Sequence, residues 1–182
     1  MKTQQKILLR PLTMNDAPIV FELTSDQNAA KFMRFGAHHH ISQTQELISQ
    51  YLSPGHLAYA IVHEEDGLFA GYIALTESKE ELGCYSMSIM ILPRFWNCGY
   101  STAIVYKVKE LAQSSTQIRA LTAHIVSENL GSCRVMDKCG FCKIDQMNFG
   151  DLAGSLYIYR YDIPVSITQQ TALLPSSTIN TL

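Results

Sequence analysis

Charge is scarce in this chain. Only 16% of its 182 residues are Asp, Glu, Lys or Arg, against about a quarter in an ordinary domain. The 14 basic and 16 acidic residues nearly cancel, leaving a formal net charge of −2. With no surplus of positive charge to neutralise phosphates, the chain is expected to bind no nucleic acid. A surface so short of charge also points to partial cover by a second subunit, as in a homodimer. No apolar run reaches the roughly eighteen residues of a transmembrane helix, so no membrane partner is expected. The opening Met1-Lys2-Thr3-Gln4-Gln5-Lys6 has no apolar signal region, and the expected location is the cytoplasm.

Cysteines are few and odd in number, at 84, 98, 133, 139 and 142. The plain reading is reduced thiols used as small hydrophobes. Cys139-Gly140-Phe141-Cys142 has the spacing of a redox pair or half a zinc site. It closes a helix rather than opening one, and no second such pair exists, so neither a redox role nor a metal site is expected. Two nucleotide signatures are also missing. No lysine follows the glycine turn at Gly99 as a P-loop requires, and no G-x-G-x-x-G follows the first strand.

Apolar residues make up 47% of the chain, enough for one domain with a sizeable core. Their spacing predicts an order of β, α, α, β, β, β, α, β, α, β, β. Residues 6–10 form a first strand. Thr13-Met14-Asn15-Asp16 and Ser42-Gln43-Thr44-Gln45 read as capping boxes, with Thr13 and Ser42 as caps. Between them Gly36 and His38-His39-His40 read as a solvated break. Strands near 58–63 and 68–76 flank the turn Glu64-Glu65-Asp66-Gly67. In 81–92, Tyr85, Met87, Ile89 and Ile91 alternate with Ser86, Ser88 and Met90. After Gly99, the residues Ile104, Val105, Val108, Leu111 and Ala112 form a helical stripe. A strand over 119–126, a helix over 129–139 and strands near 142–149 and 155–163 complete the pattern. The fold class is α/β, in the α+β sense. A mixed central sheet of about seven strands is flanked by about four helices.

Two turns carry the chemistry. Trp96-Asn97-Cys98-Gly99-Tyr100-Ser101-Thr102 runs from a strand straight into a helix, where unpaired N–H groups and the positive dipole end can cradle a pyrophosphate. About thirty residues later, Asn129-Leu130-Gly131-Ser132 repeats the arrangement, followed by Lys138-Cys139-Gly140-Phe141.

The set resembles the GNAT N-acetyltransferases, and within them the ribosomal-protein-alanine N-acetyltransferase-like branch. That branch usually shows Trp-Gly-Lys-Gly-Tyr-Ala-Thr-Glu, then Asn-x-Ala-Ser, then Glu-Lys-x-Gly-Phe. The resemblance covers about residues 6–163. It implies a GNAT acyl-CoA N-acyltransferase fold over 1–163, acetyl-CoA as co-substrate and no metal. It implies that Asn97, Cys98, Gly99, Tyr100, Ser101 and Thr102 bind the pyrophosphate. The splayed end of the preceding strand, about Ile89 to Leu92 with Ile91 and Leu92 foremost, would meet the pantetheine arm, with a backbone N–H there polarising the thioester carbonyl. Asn129 would bind the arm, and Ser132 would protonate the departing thiolate.

Several positions depart from the pattern. Asn97-Cys98 replaces the usual Gly-Lys, Ala103 the usual Glu, Ser86 a Glu that can act as base, and Met136 a tyrosine that many relatives use as acid. His124 is the remaining candidate base, although a hydrogen-bonded core histidine is its plainer role. Tyr157, Tyr159 and Tyr161 share a strand face and read as packing. The expected reaction is direct acetyl transfer to a primary amine, on a small molecule or a peptide N-terminus, within a ternary complex. The first rival is a catalytically weak acyl-CoA-binding sensor or interaction module, and the second, more remote, is a thiol-redox protein built on Cys139 and Cys142. Residues 164–182 hold no charge and carry Ile167, Leu173, Leu174 and Ile179. That tail is expected to dock on its own domain or on a partner subunit.

Overall fold

The computed structural model describes residues 6–148 and 154–164. The tail expected to dock therefore lies, beyond Pro164, outside the described residues.

Seven strands form one sheet in the order β1-β2-β3-β4-β5-β7-β6. They are β1 (Ile7–Pro11), β2 (His56–His63), β3 (Phe69–Glu77), β4 (Cys84–Ile91), β5 (Ala120–Val126), β6 (Cys142–Asn148) and β7 (Ser155–Asp162). All neighbours are antiparallel except β4 and β5. Five α-helices accompany them: α1 (Ala17–Ser25), α2 (Gln27–Ala30), α3 (Ile41–Tyr51), α4 (Tyr100–Ser114) and α5 (Leu130–Lys138). The one helix beyond expectation is α2. Asp26 caps it by accepting from the Ala29 N–H at 2.8 Å, a short turn that hydrophobic periodicity cannot register.

The alternation in β4 sorts its side chains onto two cores. Tyr85, Met87, Ile89 and Ile91 pack with Ile104, Val105 and Val108 of α4 and with Cys133 and Met136 of α5. Met90 faces the other way and packs with Val20 and Leu23 of α1, Ile48 of α3 and Tyr72 of β3. Each fully buried aliphatic side chain contributes roughly 1.5–3 kcal/mol relative to exposure. Buried from both faces, β3 runs without polar interruption from Phe69 to Leu75. Gly71 there is a steric necessity. A Cβ would lie 2.1 Å from the Met90 carbonyl oxygen on β4.

At its start the chain behaves as its pattern predicts. The Asp16 carboxylate accepts from the Thr13 N–H at 2.8 Å and from its hydroxyl at 3.0 Å, and Arg10 donates to it at 2.9 Å. The second box shifts. His40, not Ser42, caps α3, because Gln43 Oε1 accepts from the His39 and His40 N–H groups at 2.8 and 3.0 Å. Nor is His38 solvated. It is 6% exposed, its Nδ1 lies 2.8 Å from Thr44 Oγ1, and Thr44 Oγ1 lies 2.8 Å from Thr24 Oγ1. This buried polar chain fastens α1 to α3.

Candidate active site

β4 and β5 are joined by three registered pairs: Cys84 with Ala120, Tyr85 with Leu121 and Ser86 with Thr122. Beyond Ser86 the two strands part, although β4 runs on to Ile91 and β5 to Val126. Each keeps its other neighbour. β3 stays paired with β4 as far as Gly71 and Ile91, and β7 with β5 as far as Leu156 and Val126. A wedge therefore opens within the sheet.

Antiparallel pairing fixes which backbone groups face the wedge. The Leu92 N–H donates to the Ala70 carbonyl on the β3 side at 2.9 Å. By alternation, Met90 and Ser88 also point toward β3, while Ile91, Ile89 and Met87 present N–H and C=O to the wedge. The Leu92 N–H is thus already engaged with β3, and within the expected stretch from Ile89 to Leu92 the donors that face the wedge lie at Ile89 and Ile91. The Ile91 carbonyl accepts from Trp96 Nε1 at 2.7 Å, which ties the following turn to the strand end.

That turn departs from ordinary backbone twice. Asn97 has φ 58°, the one positive φ outside glycine among the described residues, and Gly99 has φ 89° with ψ −1°. Gly99 occupies the N-cap position of α4, and no side chain caps the helix there. A Cβ at Gly99 would meet nothing within 4 Å, so left-handed backbone, not crowding, demands glycine. Asn97, Cys98 and Gly99 are exposed, and Ser101 and Thr102 are half-buried in the first helical turn. Tyr100 is buried, its ring 4.8 Å from that of Phe95. Such a turn offers a concave run of N–H groups to an anion.

The second turn is built differently. Asn129 caps α5 through Oδ1, which accepts from the Ser132 N–H at 3.2 Å. Its amide NH₂ is left free to donate. The Ser132 hydroxyl is half-buried and makes no hydrogen bond to a described residue. Met136, at the position of the relatives' tyrosine, is 4% exposed in the core with Cys133 and offers no acid.

On the sheet face opposite α4 and α5, polar groups gather beside the apolar core that Met90 shares with α1 and α3. Ser86 Oγ lies 3.4 Å from His124 Nδ1, across the point where the strands part. The Tyr51 hydroxyl neighbours Ser88 and Tyr72, and the Tyr72 hydroxyl donates to the Met90 sulfur at 3.2 Å. Burial raises both tyrosine pKa values, Tyr72 well above its ordinary range. Both are held neutral. His124 is not the core histidine that its strand suggested. Its ring edge is exposed, yet the surrounding protein displaces enough water to lower its pKa, and the charge of Arg34 lowers it further.

The other motifs separate from the wedge. Tyr159 is buried, with Tyr157 and Tyr161 packed against the same core, as their shared face predicts. Cys139 is 2% exposed while Cys142 is exposed. Burial raises the Cys139 pKa, the reverse of what a reactive thiol needs. A cleft of about 370 Å³ lined by Tyr106, Lys109, Glu110, Gln113 and Tyr161 lies on the outer flank of α4. Lys109 is already engaged there. It donates to the Cys139 carbonyl at 2.8 Å and sits 3.7 Å from the Tyr161 ring centroid.

The parted parallel strand pair and the uncapped helix start at the end of one strand together form an open cleft with unpaired backbone N–H groups at its mouth. The sequence matches the acetyltransferase (GNAT) domain over residues 6–142, and the chain belongs to that family. It is 22% identical over 138 residues to an uncharacterized N-acetyltransferase, YnaD, of Bacillus subtilis strain 168, covering 76% of this chain and 80% of the relative. Its fold matches a GNAT-family acetyltransferase from Bacillus anthracis with a TM-score of 0.75 and 19% identity, over 88% of this chain and 96% of the other. It also matches spermidine N-acetyltransferase from Vibrio cholerae, solved with CoA and spermine, with a TM-score of 0.76 and 13% identity over 87% and 96%. The chain is an N-acyltransferase. Among the described residues no helix is long and apolar enough to cross a membrane.

Proposed function

We propose that the chain transfers an acetyl group from acetyl-CoA to a primary amine by direct attack in a ternary complex. The parting of β4 from β5 at Ser86, with the uncapped α4 at its mouth, carries this reading. The N–H groups from Asn97 to Thr102 hold the pyrophosphate. Ile89 and Ile91 pair with the pantetheine arm, and one of their N–H groups polarises the thioester carbonyl. The Asn129 amide donates to the arm. The Ser132 hydroxyl gives its proton to the departing thiolate as the new C–N bond forms and the C–S bond breaks.

An amine attacks only when neutral. A peptide or amino-acid α-amine begins near a pKa of ~8, far closer to neutrality than a lysine-type amine at ~10.4. His124 takes the proton. With Nδ1–H donating to Ser86 Oγ, Nε2 is free to accept it, directly or through water. Its lowered pKa keeps the ring neutral at physiological pH. The likeness of the turn residues to the ribosomal-protein-alanine N-acetyltransferase-like branch concerns the donor side, and the acceptor is chosen on the opposite face.

Two measurements test this. CoA at a hundredfold excess over its dissociation constant should stabilise the protein by about 2.7 kcal/mol, read as a higher melting temperature. Thiol release from acetyl-CoA should require an added amine. No melting shift in millimolar CoA would remove the site; a shift without turnover on any amine would leave a sensor rather than an enzyme.

A further inference from the structure

Beyond His124, β5 and β7 present apolar side chains that belong to neither core. We propose that the acceptor is an α-amine with an apolar side chain, and that Val126, Leu156 and Ile158 hold that side chain. This deepens the acetyl-transfer reading of the wedge and rests on it.

Register places these residues. Leu121, Ala123 and Ile125 of β5 are buried in the core with α4 and α5, so His124 and Val126 face the other way. Two rows then cross that face at the parted end of β5. His124 is registered with Ile158, and Val126 with Leu156. On β6, Asp145 lies beyond Ile158 and Met147 beyond Leu156. Val126, Leu156 and Ile158 are half-buried, and Met147 is 50% exposed. All four stand apart from the core that α1 and α3 form with Tyr72 and Met90 on the same side of the sheet. An antiparallel sheet face left to water ordinarily carries polar side chains. Four adjoining apolar ones are not accounted for by folding.

The strip is small. Cross-strand neighbours stand ~5 Å apart and alternate residues of one strand ~7 Å apart, so it covers on the order of 70 Å². That is the footprint of one large side chain. A stable dimer needs about 800 Å² from each subunit, far more than the strip provides. It also begins at the base, since Ile158 is registered directly with His124. In an α-amine the nitrogen and the side chain leave the same carbon, which suits a base and an apolar strip on adjoining residues. Arg160, the next residue of β7 on this face, is held by Glu81 and Asp162 at 2.7 and 2.8 Å. The one carboxylate in the two rows, Asp145, is exposed on the outer strand, and its Oδ1 accepts from the Gln146 N–H at 2.7 Å. A polar side chain laid on Val126, Leu156 and Ile158 would lose water and gain no partner from them.

The test uses the full chain with acetyl-CoA and a panel of amino-acid amides. Leucine, methionine and phenylalanine amides are set against those of glycine, serine, asparagine, lysine and glutamate, with spermidine beside them. The amides share an α-amine, so the side chain is what varies. An apolar amide should be the best acceptor, about ten- to a hundredfold above glycinamide in kcat/KM. Ile158→Thr should lower that ratio, chiefly through KM. Leu156→Glu should turn the preference toward lysinamide, which a merely structural role would not do. A retained CoA-dependent melting shift shows that a variant has folded, and Val126→Thr reads the same ratio should either β7 variant fail to fold. A best acceptor with a polar or charged side chain would overturn the proposal while leaving acetyl transfer intact. So would a leucine-to-glycine ratio that survives the threonine variants, or a preference that Leu156→Glu leaves unmoved. A changed elution volume with an unchanged ratio would assign the strip to a second copy and overturn it too. If no amine is acetylated, the activity reading fails and calorimetry on the CoA-loaded chain decides the inference. Binding of leucinamide over glycinamide that is lost in Ile158→Thr supports it, and its absence overturns it.

Discussion

The chain leaves β4 and β5 by turns that face the same difficulty. Each runs directly into a helix whose first N–H groups lack partners. After β5 the chain supplies the partner itself, through the Asn129 side chain. After β4 it supplies none, and Gly99 holds the position with left-handed backbone. A glycine in place of a capping side chain costs a helix roughly a few tenths of a kcal/mol. Leaving α4 open on the side facing the wedge thus trades stability for a place where an anion can complete the helix. In the proposed function the two turns frame one ligand, and only the first lacks a side-chain cap without it.

Closing the open turn should have the largest effect. In Gly99→Asp a carboxylate would cap α4 and repel the pyrophosphate from the same N–H groups. The CoA-dependent melting shift should vanish and turnover with it. Gly99→Asn separates charge from backbone, since Asn tolerates left-handed φ and has nearly the same shape. It should retain part of the shift. Equal loss in both variants would mean that backbone geometry, not the anion, governs the site.

Next comes the second turn's hydroxyl. Ser132→Ala should lower kcat by ~10²–10⁴-fold if Ser132 protonates the thiolate, with the CoA melting shift kept. The backbone N–H that Asn129 accepts from survives this substitution, so the α5 cap should also survive. An unchanged kcat would return Ser132 to packing and deepen the contrast between the turns, leaving the second one purely structural.

Asn129→Ala probes the same turn at lower cost. It removes the cap and should destabilise the free protein by about 1 kcal/mol, read from the denaturant midpoint. CoA affinity should also fall, through loss of the amide donor. Gly99→Asn should show the opposite balance, with little change in the free protein and a larger change with CoA. If Asn129→Ala left the free protein untouched, the 3.2 Å cap would carry no weight.

Both turns were legible in the sequence because each rests on a local rule: glycine where φ is positive, and Asn three residues before the N–H it caps. The succession of strands along the chain and the two faces of β4 followed from alternation for the same reason. The wedge itself is not legible in alternation, and only the family resemblance implied it. β4 alternates without interruption from Tyr85 to Ile91, and nothing in that run marks Ser86 as the last residue paired with β5. The parting is a tertiary outcome, set by what β3 and β7 hold on either side. The direction of the Leu92 N–H is not legible for a related reason, because it depends on register with Ala70. Ser42 lost the α3 cap to His40 because the Gln43 side chain reaches back to two N–H groups, a geometry that two overlapping boxes leave undecided.

The smallest expected effect concerns the turn that carries Arg34, and it is one of pH. His38 is buried against Thr44 and Phe35, and burial first, then the charge of His39, lowers its pKa below the ordinary imidazole value. The unfolded chain, near ~6.5, therefore binds a proton more readily than the folded one. Stability must then rise with pH between the lowered folded pKa and about 6.5, be complete above that, and decline as pH falls through the window. His124 titrates in the same sense, so wild type alone does not isolate His38. The comparison with His38→Asn does. The variant loses the Thr44 contact and should be less stable at pH 8, but it has no buried imidazole to charge. The difference between the two denaturant midpoints should narrow as pH drops from about 7 to 5. A constant difference would mean that His38 fastens the acceptor-side turn without sensing pH. A widening one would mean that the charged ring is the better bound, with Thr44 Oγ1 accepting from Nδ1–H in both states.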